Sequence, residues 1–167
     1  IGRPRSGTTL LRTLLDAHPN VLIPLECSFI GQLKKKYYTL SFAANKDIDY
    51  FFSDLKKTRF YKINNFDNEN LYKDLKSHQG KFGFCENCKI VISNYVSLFR
   101  KEEILIFGDK NPFYSTSFKT IFPVFNDAKF IHIIRDYRDN HSSIVKAGFE
   151  NPFISFTVKR WKESILR

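Results

Sequence analysis

The stretch Gly2-Arg3-Pro4-Arg5-Ser6-Gly7-Thr8-Thr9 nearly matches a phosphate-binding P-loop, and this motif constrains the fold most strongly. The P-loop pattern is G-x-x-x-x-G-K-S/T, and Gly2 and Gly7 have its glycine spacing. Thr8 stands where the lysine would be, and Arg5 lies inside the loop. Glycines allow a tight turn with backbone N–H groups aimed at an anion, and the following apolar run predicts a helix whose positive end faces it. The loop is therefore predicted to bind a phosphate-like group without the usual lysine.

Three short apolar runs have the character of strands in a sheet. They are residues 21–25, 104–107 and 130–134, the first read as either a buried strand or an extended segment. Continuous runs of this kind are typical of parallel strands covered on both faces, and the helical segments between them indicate α/β layering. We therefore expect an α/β fold of P-loop type, in which helices flank a central parallel sheet in three layers.

Polar clusters follow the ends of the predicted strands. They comprise residues 2–9, 108–112 and 135–143. Ligands of such sheets bind at the carboxyl ends of the strands, so the three clusters are expected to converge on one site.

Residues 29–80 have a different composition, rich in Lys, Tyr, Phe and Asn, with helical periodicity in pieces, and residues 34–95 are predicted to be helical. Asp47 and Asn68 are predicted to cap two helices, and residues 88–101 are predicted to form a third. The helix after the loop is expected to end at residues 16–19, because proline cannot continue it. Trp161 is interpreted as a core residue on an amphipathic helix near the end of the chain.

Length and charge limit the classes of function. A chain of 167 residues is the size of one domain, and without an apolar run near 18 residues it is predicted to have no transmembrane helix. It contains no methionine and begins one residue before the loop, so we expect a single domain over residues 1–167 that is incomplete at both ends. The net charge of +10 favours a polyanionic partner, which could be nucleic acid, a membrane surface or a phosphorylated cofactor.

The three cysteines do not make a disulfide framework. Cys85 and Cys88 have CxxC spacing, but no second pair completes a four-ligand zinc site, and we interpret them as ordinary thiols at a helix start. Unpaired cysteines slightly favour a reducing cytoplasm. A Golgi location stays open for a eukaryotic protein.

Taken together, the motifs resemble the sulfotransferase family that uses 3′-phosphoadenosine 5′-phosphosulfate (PAPS). The segments that carry the resemblance are residues 4–10 with 14–19, residues 24–26, residues 108–113, and residues 130–139 with Ser143. The similarity is greatest to the branch of tyrosylprotein sulfotransferases and their bacterial relatives. It is poor over residues 34–95, where the acceptor-binding region of such an enzyme would lie.

The resemblance implies two binding segments for the two anionic ends of PAPS. Arg5, Ser6, Gly7, Thr8 and Thr9 would hold the 5′-phosphosulfate, and Arg135 with Ser143 would hold the 3′-phosphate. A guanidinium group suits this task because it donates two parallel hydrogen bonds to a phosphate. The product would be adenosine 3′,5′-bisphosphate (PAP).

The resemblance also implies the catalytic roles. Glu26 would act as the base that takes the proton of the attacking hydroxyl or amine. Arg5 and Lys110 would stabilise the negative charge that builds on the departing 5′-phosphate during in-line transfer. No metal is expected. The partners would be the nucleotide and an acceptor whose identity stays open, as does a homo-oligomeric state.

Two other functions stay open at this point. A P-loop kinase or NTPase would need a lysine at position 8 and an acidic residue for Mg²⁺, for which Asp109 is the one acid in a plausible place. A basic nucleic-acid-binding domain would need basic and aromatic residues interleaved on one surface, whereas the phenylalanines here fall mostly in apolar periodic positions. We therefore expect no nucleic-acid partner.

Overall fold

The structure, a computed structural model, describes residues 1–166, apart from the side chain of Thr120. Helices make up most of it. Their bounds are α1 Thr8–Asp16, α2 Phe29–Tyr37, α3 Asn45–Lys57, α4 Arg59–Ile63, α5 Asn68–Ser77, α6 Phe84–Ser93, α7 Tyr114–Ile121, α8 Tyr137–Lys146 and α9 Ile154–Ile165. Two strands, β1 Val21–Leu22 and β2 Ile106–Phe107, lie between them in sequence.

The strands form a small parallel sheet, which confirms the predicted α/β class. Val21 lies opposite Ile106, and Leu22 lies opposite Phe107. A separate parallel bridge joins Gly2 to Ile133. A Cβ atom at Gly2 would lie 2.7 Å from the carbonyl oxygen of Ile133, so this close approach of two backbones requires glycine.

The predicted burial of two apolar runs is wrong. Residues 130–134 form only the bridge at Ile133, and residues 104–107 contribute only two residues to a strand. Leu105 is 68% exposed, Ile106 62% and Ile131 55%. These three side chains therefore face solvent and are not covered on both faces as predicted. Residues 21–25 behave as predicted, since Leu22 and Ile23 are buried.

The main hydrophobic core lies among the helices between α2 and α7 and not against the sheet. Its largest fully buried side chains are aromatic: Phe29, Tyr37, Phe42, Phe51, Phe60 and Phe84. Phe51 meets Tyr37 and Phe42 edge-on, with ring centroids 5.3 and 5.5 Å apart, a geometry that the charge distribution of aromatic rings favours. Helices α2 to α6 cover most of residues 34–95, which confirms the prediction that this range is helical.

The predicted caps of α3 and α5 are displaced by one to three residues. Ala44 precedes α3, and Asp47 lies within its first turn, where its carboxylate accepts a hydrogen bond from the Ala44 N–H at 3.0 Å. Asp67 caps α5 in place of Asn68, since its side chain accepts the N–H of Asn70. Aspartate serves both positions because a carboxylate is stabilised by the free N–H groups at a helix start.

The predicted helix over residues 88–101 is wrong in its bounds. The helix is α6, which begins at Phe84 and ends at Ser93. The chain then leaves the helix because Tyr95 forms an antiparallel bridge with Phe66, and the N–H of Val96 donates to the carbonyl of Asn65 at 2.9 Å. Cys85 and Cys88 lie in the first turns of α6 as free thiols.

The prediction of a core position for Trp161 is also wrong. The buried residues of α9 are Thr157 and Ser164, and Trp161 is only partly buried. Its indole N–H donates to the carbonyl oxygen of Arg135 at 2.8 Å. Trp161 therefore contacts the segment before α8 and not the core.

Along the described chain, no helix is both long and apolar enough to span a bilayer.

Candidate active site

The loop before α1 turns through two residues in the left-handed conformation, Arg5 with φ +66° and Gly7 with φ +95°. The N–H of Ser6 closes the turn by donating to the carbonyl of Arg3 at 3.2 Å. Gly7 precedes α1 and provides no side-chain cap. The first N–H groups of a helix have no acceptor inside the helix, so those of α1 are available at its positive end.

The side chains of the predicted loop residues divide into two sets. Arg5 and Thr9 are exposed, whereas Ser6 and Thr8 are buried. No heavy atom lies within 4 Å of the position where Gly7 would carry a Cβ. The groups that face open space here are therefore the Arg5 guanidinium, the Thr9 hydroxyl and the backbone around Gly7.

The segment at α8 contacts this loop directly. The Arg5 Nε donates to the hydroxyl of Ser143 at 3.1 Å, and the Arg135 Nη1 donates to the carbonyl oxygen of Arg5, also at 3.1 Å. Asp136 caps α8 by accepting the N–H of Arg138. The structure thus brings Arg5, Arg135 and Ser143 together as one group.

Arg5 and Arg135 differ from the neighbouring arginines in their charge environment. Across residues 1–166, neither forms an ion pair. The paired arginines are Arg3 and Arg160, both with Glu150, Arg12 with Asp16, and Arg138 with Asp136. Two exposed guanidinium groups without carboxylate partners, next to a helix N-terminus, create a local site that favours a multiply charged anion.

Glu26 and Lys110 form a second group. The Lys110 Nζ lies 3.4 Å from Glu26 Oε1, and the side chains are 8% and 41% exposed. The backbone holds them side by side, because the N–H of Cys27 donates to the carbonyl of Lys110 at 3.2 Å. Burial lowers the pKa of Lys110, and the nearby Glu26 carboxylate opposes this effect. In the described structure no hydrogen bond joins this group to the group at Arg5.

Arg12 connects α1 to the segment before Glu26, a link that the sequence interpretation missed. Its Nε donates to the carbonyl of Ile23 at 2.7 Å, and its Nη2 contacts Asp16 at 3.0 Å. Asp16 in turn accepts the N–H of Ile23 at 2.9 Å. The signal in the sequence was a pair of opposite charges four residues apart on an otherwise apolar helix.

Asp109 lies beside Lys110 but is not available to a ligand. Both of its carboxylate oxygens are buried and have no hydrogen-bond partner in the described structure. The Tyr114 hydroxyl donates instead to the carbonyl of Cys27 at 2.7 Å. Burial raises the pKa of Asp109 to about 7. A carboxylate shielded in this way does not fit the Mg²⁺ role that the kinase alternative requires.

The described residues contain no group of three or more His, Cys, Asp or Glu side chains placed to hold a metal ion.

Residues 1–166 match the protein-family model described as "Sulfotransferase family". No curated protein shows significant similarity to the chain.

Proposed function

The chain belongs to the sulfotransferase family, and from this premise we propose that it transfers a sulfuryl group from PAPS to a hydroxyl or amine acceptor. The observation that carries the proposal is the contact between Arg5 and Arg135, two exposed guanidinium groups that lack carboxylate partners in the described chain. They join the loop before α1 to the segment before α8. PAPS has two separated anionic groups, which need donors from two such segments.

The residues present fit the nucleotide. Arg5, the Thr9 hydroxyl and the backbone at Gly7, which are exposed, would hold the 5′ end. Ser6 and Thr8 were predicted to contribute hydroxyl groups as well, but both side chains are buried. Arg135 and Ser143 would hold the 3′-phosphate. The free N–H groups at the start of α1 add donors that need no side chain.

PAPS supplies an activated sulfuryl group on a good leaving group, so the protein's task is to position the reactants and stabilise charge. Arg5 would stabilise the charge that develops on the 5′-phosphate, and Lys110 would do so from the group that it forms with Glu26. Lys110 suits this role because it is largely buried, where an ammonium group acts more strongly than in water.

Glu26 would accept the proton of the acceptor. Its side chain is 41% exposed, so an acceptor group can reach it, and Lys110 orients its carboxylate from 3.4 Å. Proton transfer of this kind needs a carboxylate within hydrogen-bond reach of the attacking group. The helices within residues 34–95 would contact the acceptor.

The direct test is transfer of radiolabelled sulfate from PAPS to a panel of acceptors that contains tyrosine peptides, sugars, phenols and amines. We expect label to appear on at least one hydroxyl or amine class. Turnover of ATP in the presence of Mg²⁺ with no use of PAPS would instead support the kinase alternative.

A further inference from the structure

The side chain of Asn140 on α8 bonds to three residues of the loop before α1. Its Nδ2 donates to the carbonyl of Pro4 at 2.8 Å and lies 3.3 Å from the hydroxyl oxygen of Ser6. Its Oδ1 accepts the Nε–H of Arg3 at 2.8 Å. Asn140 is fully buried, so these bonds are shielded from water.

A buried ion pair fixes the orientation of this amide. The Arg3 guanidinium contacts the Glu150 carboxylate, and each side chain is only 6% exposed. Glu150 also accepts from the Thr157 hydroxyl and lies 3.4 Å from Arg160 on α9. Arg3 uses its Nη2 for Glu150 and its Nε for Asn140, so the amide can present only its NH₂ group to the loop.

The bonds of Asn140 flank the strained residue of the loop. Arg5 has φ +66°, a left-handed conformation that is unfavourable for a non-glycine residue. Asn140 holds Pro4 on one side of Arg5 and Ser6 on the other. A conformation of this kind persists only where the surroundings impose it.

We propose that Asn140, oriented by the Arg3–Glu150 ion pair, is a positioning residue. It holds Arg5 in its anion-binding conformation and joins the loop before α1 to α8. The identity of the anion rests on the proposed function. Asn140 touches Pro4, Ser6 and Arg3, and acts on the nucleotide through Arg5.

The test uses two substitutions with opposite effects on charge. Asn140→Asp keeps the acceptor for Arg3 but removes the donor to Pro4, and it adds a negative charge. Glu150→Gln weakens the orienting pair and removes a negative charge. A purely electrostatic effect would weaken anion binding in the first variant and strengthen it in the second, whereas loss of positioning weakens it in both.

Calorimetric titrations of wild type and both variants would use PAP and 3′-AMP, which lacks the 5′-phosphate. We expect the affinity for PAP to fall by about tenfold or more in both variants, the equivalent of one lost hydrogen bond. The affinity for 3′-AMP should change by less than about threefold, because the 3′ site keeps Arg135 and Ser143. Asn151→Asp, an exposed substitution of the same type, should leave both affinities unchanged.

The outcomes separate this inference from the proposed function. PAP binding by wild type with unchanged affinity in both variants overturns the inference alone. Equal losses for PAP and 3′-AMP, or loss of the folded state in both variants by circular dichroism, show a merely structural network and also overturn it. A wild-type protein that binds neither nucleotide overturns both.

Discussion

Arg135 donates a hydrogen bond to the carbonyl oxygen of Arg5 at 3.1 Å, across 130 residues of sequence. This bond joins the two segments that we propose to bind the opposite ends of PAPS. The Arg5 side chain completes the link by donating to Ser143 on α8. Charge, backbone donors and hydroxyl groups thus converge where α1 and α8 begin.

Replacing Arg5 by Ala should weaken PAP binding strongly. The variant loses a charge-assisted hydrogen bond, worth roughly 1.5–3 kcal/mol, so the Kd should rise by at least about tenfold. Arg138→Ala is the matched control, because Arg138 is an exposed arginine in the first turn of α8 that is already paired with Asp136. If calorimetry finds equal losses of PAP affinity in the two variants, the effect of Arg5→Ala comes from the lost positive charge and not from a specific contact.

Replacing Glu26 by Gln should separate binding from chemistry. Glutamine keeps the shape of the side chain and a contact to Lys110 but cannot accept the proton. We expect PAP affinity within about threefold of wild type and sulfuryl transfer reduced by about 100-fold or more. Glu102→Gln, an exposed change of the same type, should retain activity. An active Glu26→Gln enzyme would remove Glu26 as the base.

Asp109 should make the free energy of unfolding fall as pH rises from about 4 to about 7. The unfolded carboxyl loses its proton near its ordinary pKa of 3.8, whereas the folded one keeps it to about 7. The folded state therefore binds more protons between these values, so stability decreases across this window and the loss is complete above pH 7.

Asp109→Asn should thus be more stable than wild type at pH 8, by up to about 4 kcal/mol, and should flatten the decrease between pH 5 and pH 8. Urea denaturation at the two pH values measures this. Asp127→Asn is the control, since Lys89 lowers the pKa of that exposed carboxyl and its titration lies below the window. If the pH dependence of stability is unchanged in Asp109→Asn, Asp109 is not its cause.

Gly2→Ala should destabilise the fold by about 1–3 kcal/mol, because the new methyl group would lie 2.7 Å from the backbone oxygen of Ile133. Gly31→Ala provides the contrast. Gly31 lies within α2 with no atom within 4 Å of its Cβ position, so alanine there should stabilise by roughly 0.5–1 kcal/mol. Thermal denaturation of both variants would show changes of opposite sign, and a neutral Gly2→Ala would contradict the close approach.

The sequence predicted the α/β class and an end of α1 within residues 16–19, because local signals determine both: apolar runs, a helix after a glycine loop, and a proline stop. It also predicted that residues 2–9 and 135–143 lie close together, and Arg5 does contact Arg135 and Ser143. The lack of carboxylate partners for Arg5 and Arg135 within residues 1–166 depends on tertiary contacts, which no spacing encodes.

The wrong predictions have a common physical origin. Residues 88–101 keep their apolar periodicity beyond Ser93, but the bridge between Tyr95 and Phe66 comes from a distant segment and ends the helix. Leu105 and Ile106 have β propensity, yet burial depends on what packs over them. The sequence did not indicate a positioning role for Asn140, because a lone asparagine on a polar helix gives no signal until its partners in the loop are known.

The most direct test of the account is a calorimetric comparison of PAP and 5′-AMP, which lacks the 3′-phosphate, with wild type and Arg135→Ala. Wild type is expected to prefer PAP by about tenfold or more if Arg135 binds the 3′-phosphate, and the variant is expected to bind the two nucleotides with similar affinity. A wild-type protein with no affinity for PAP, or a preference that persists without Arg135, would contradict the account.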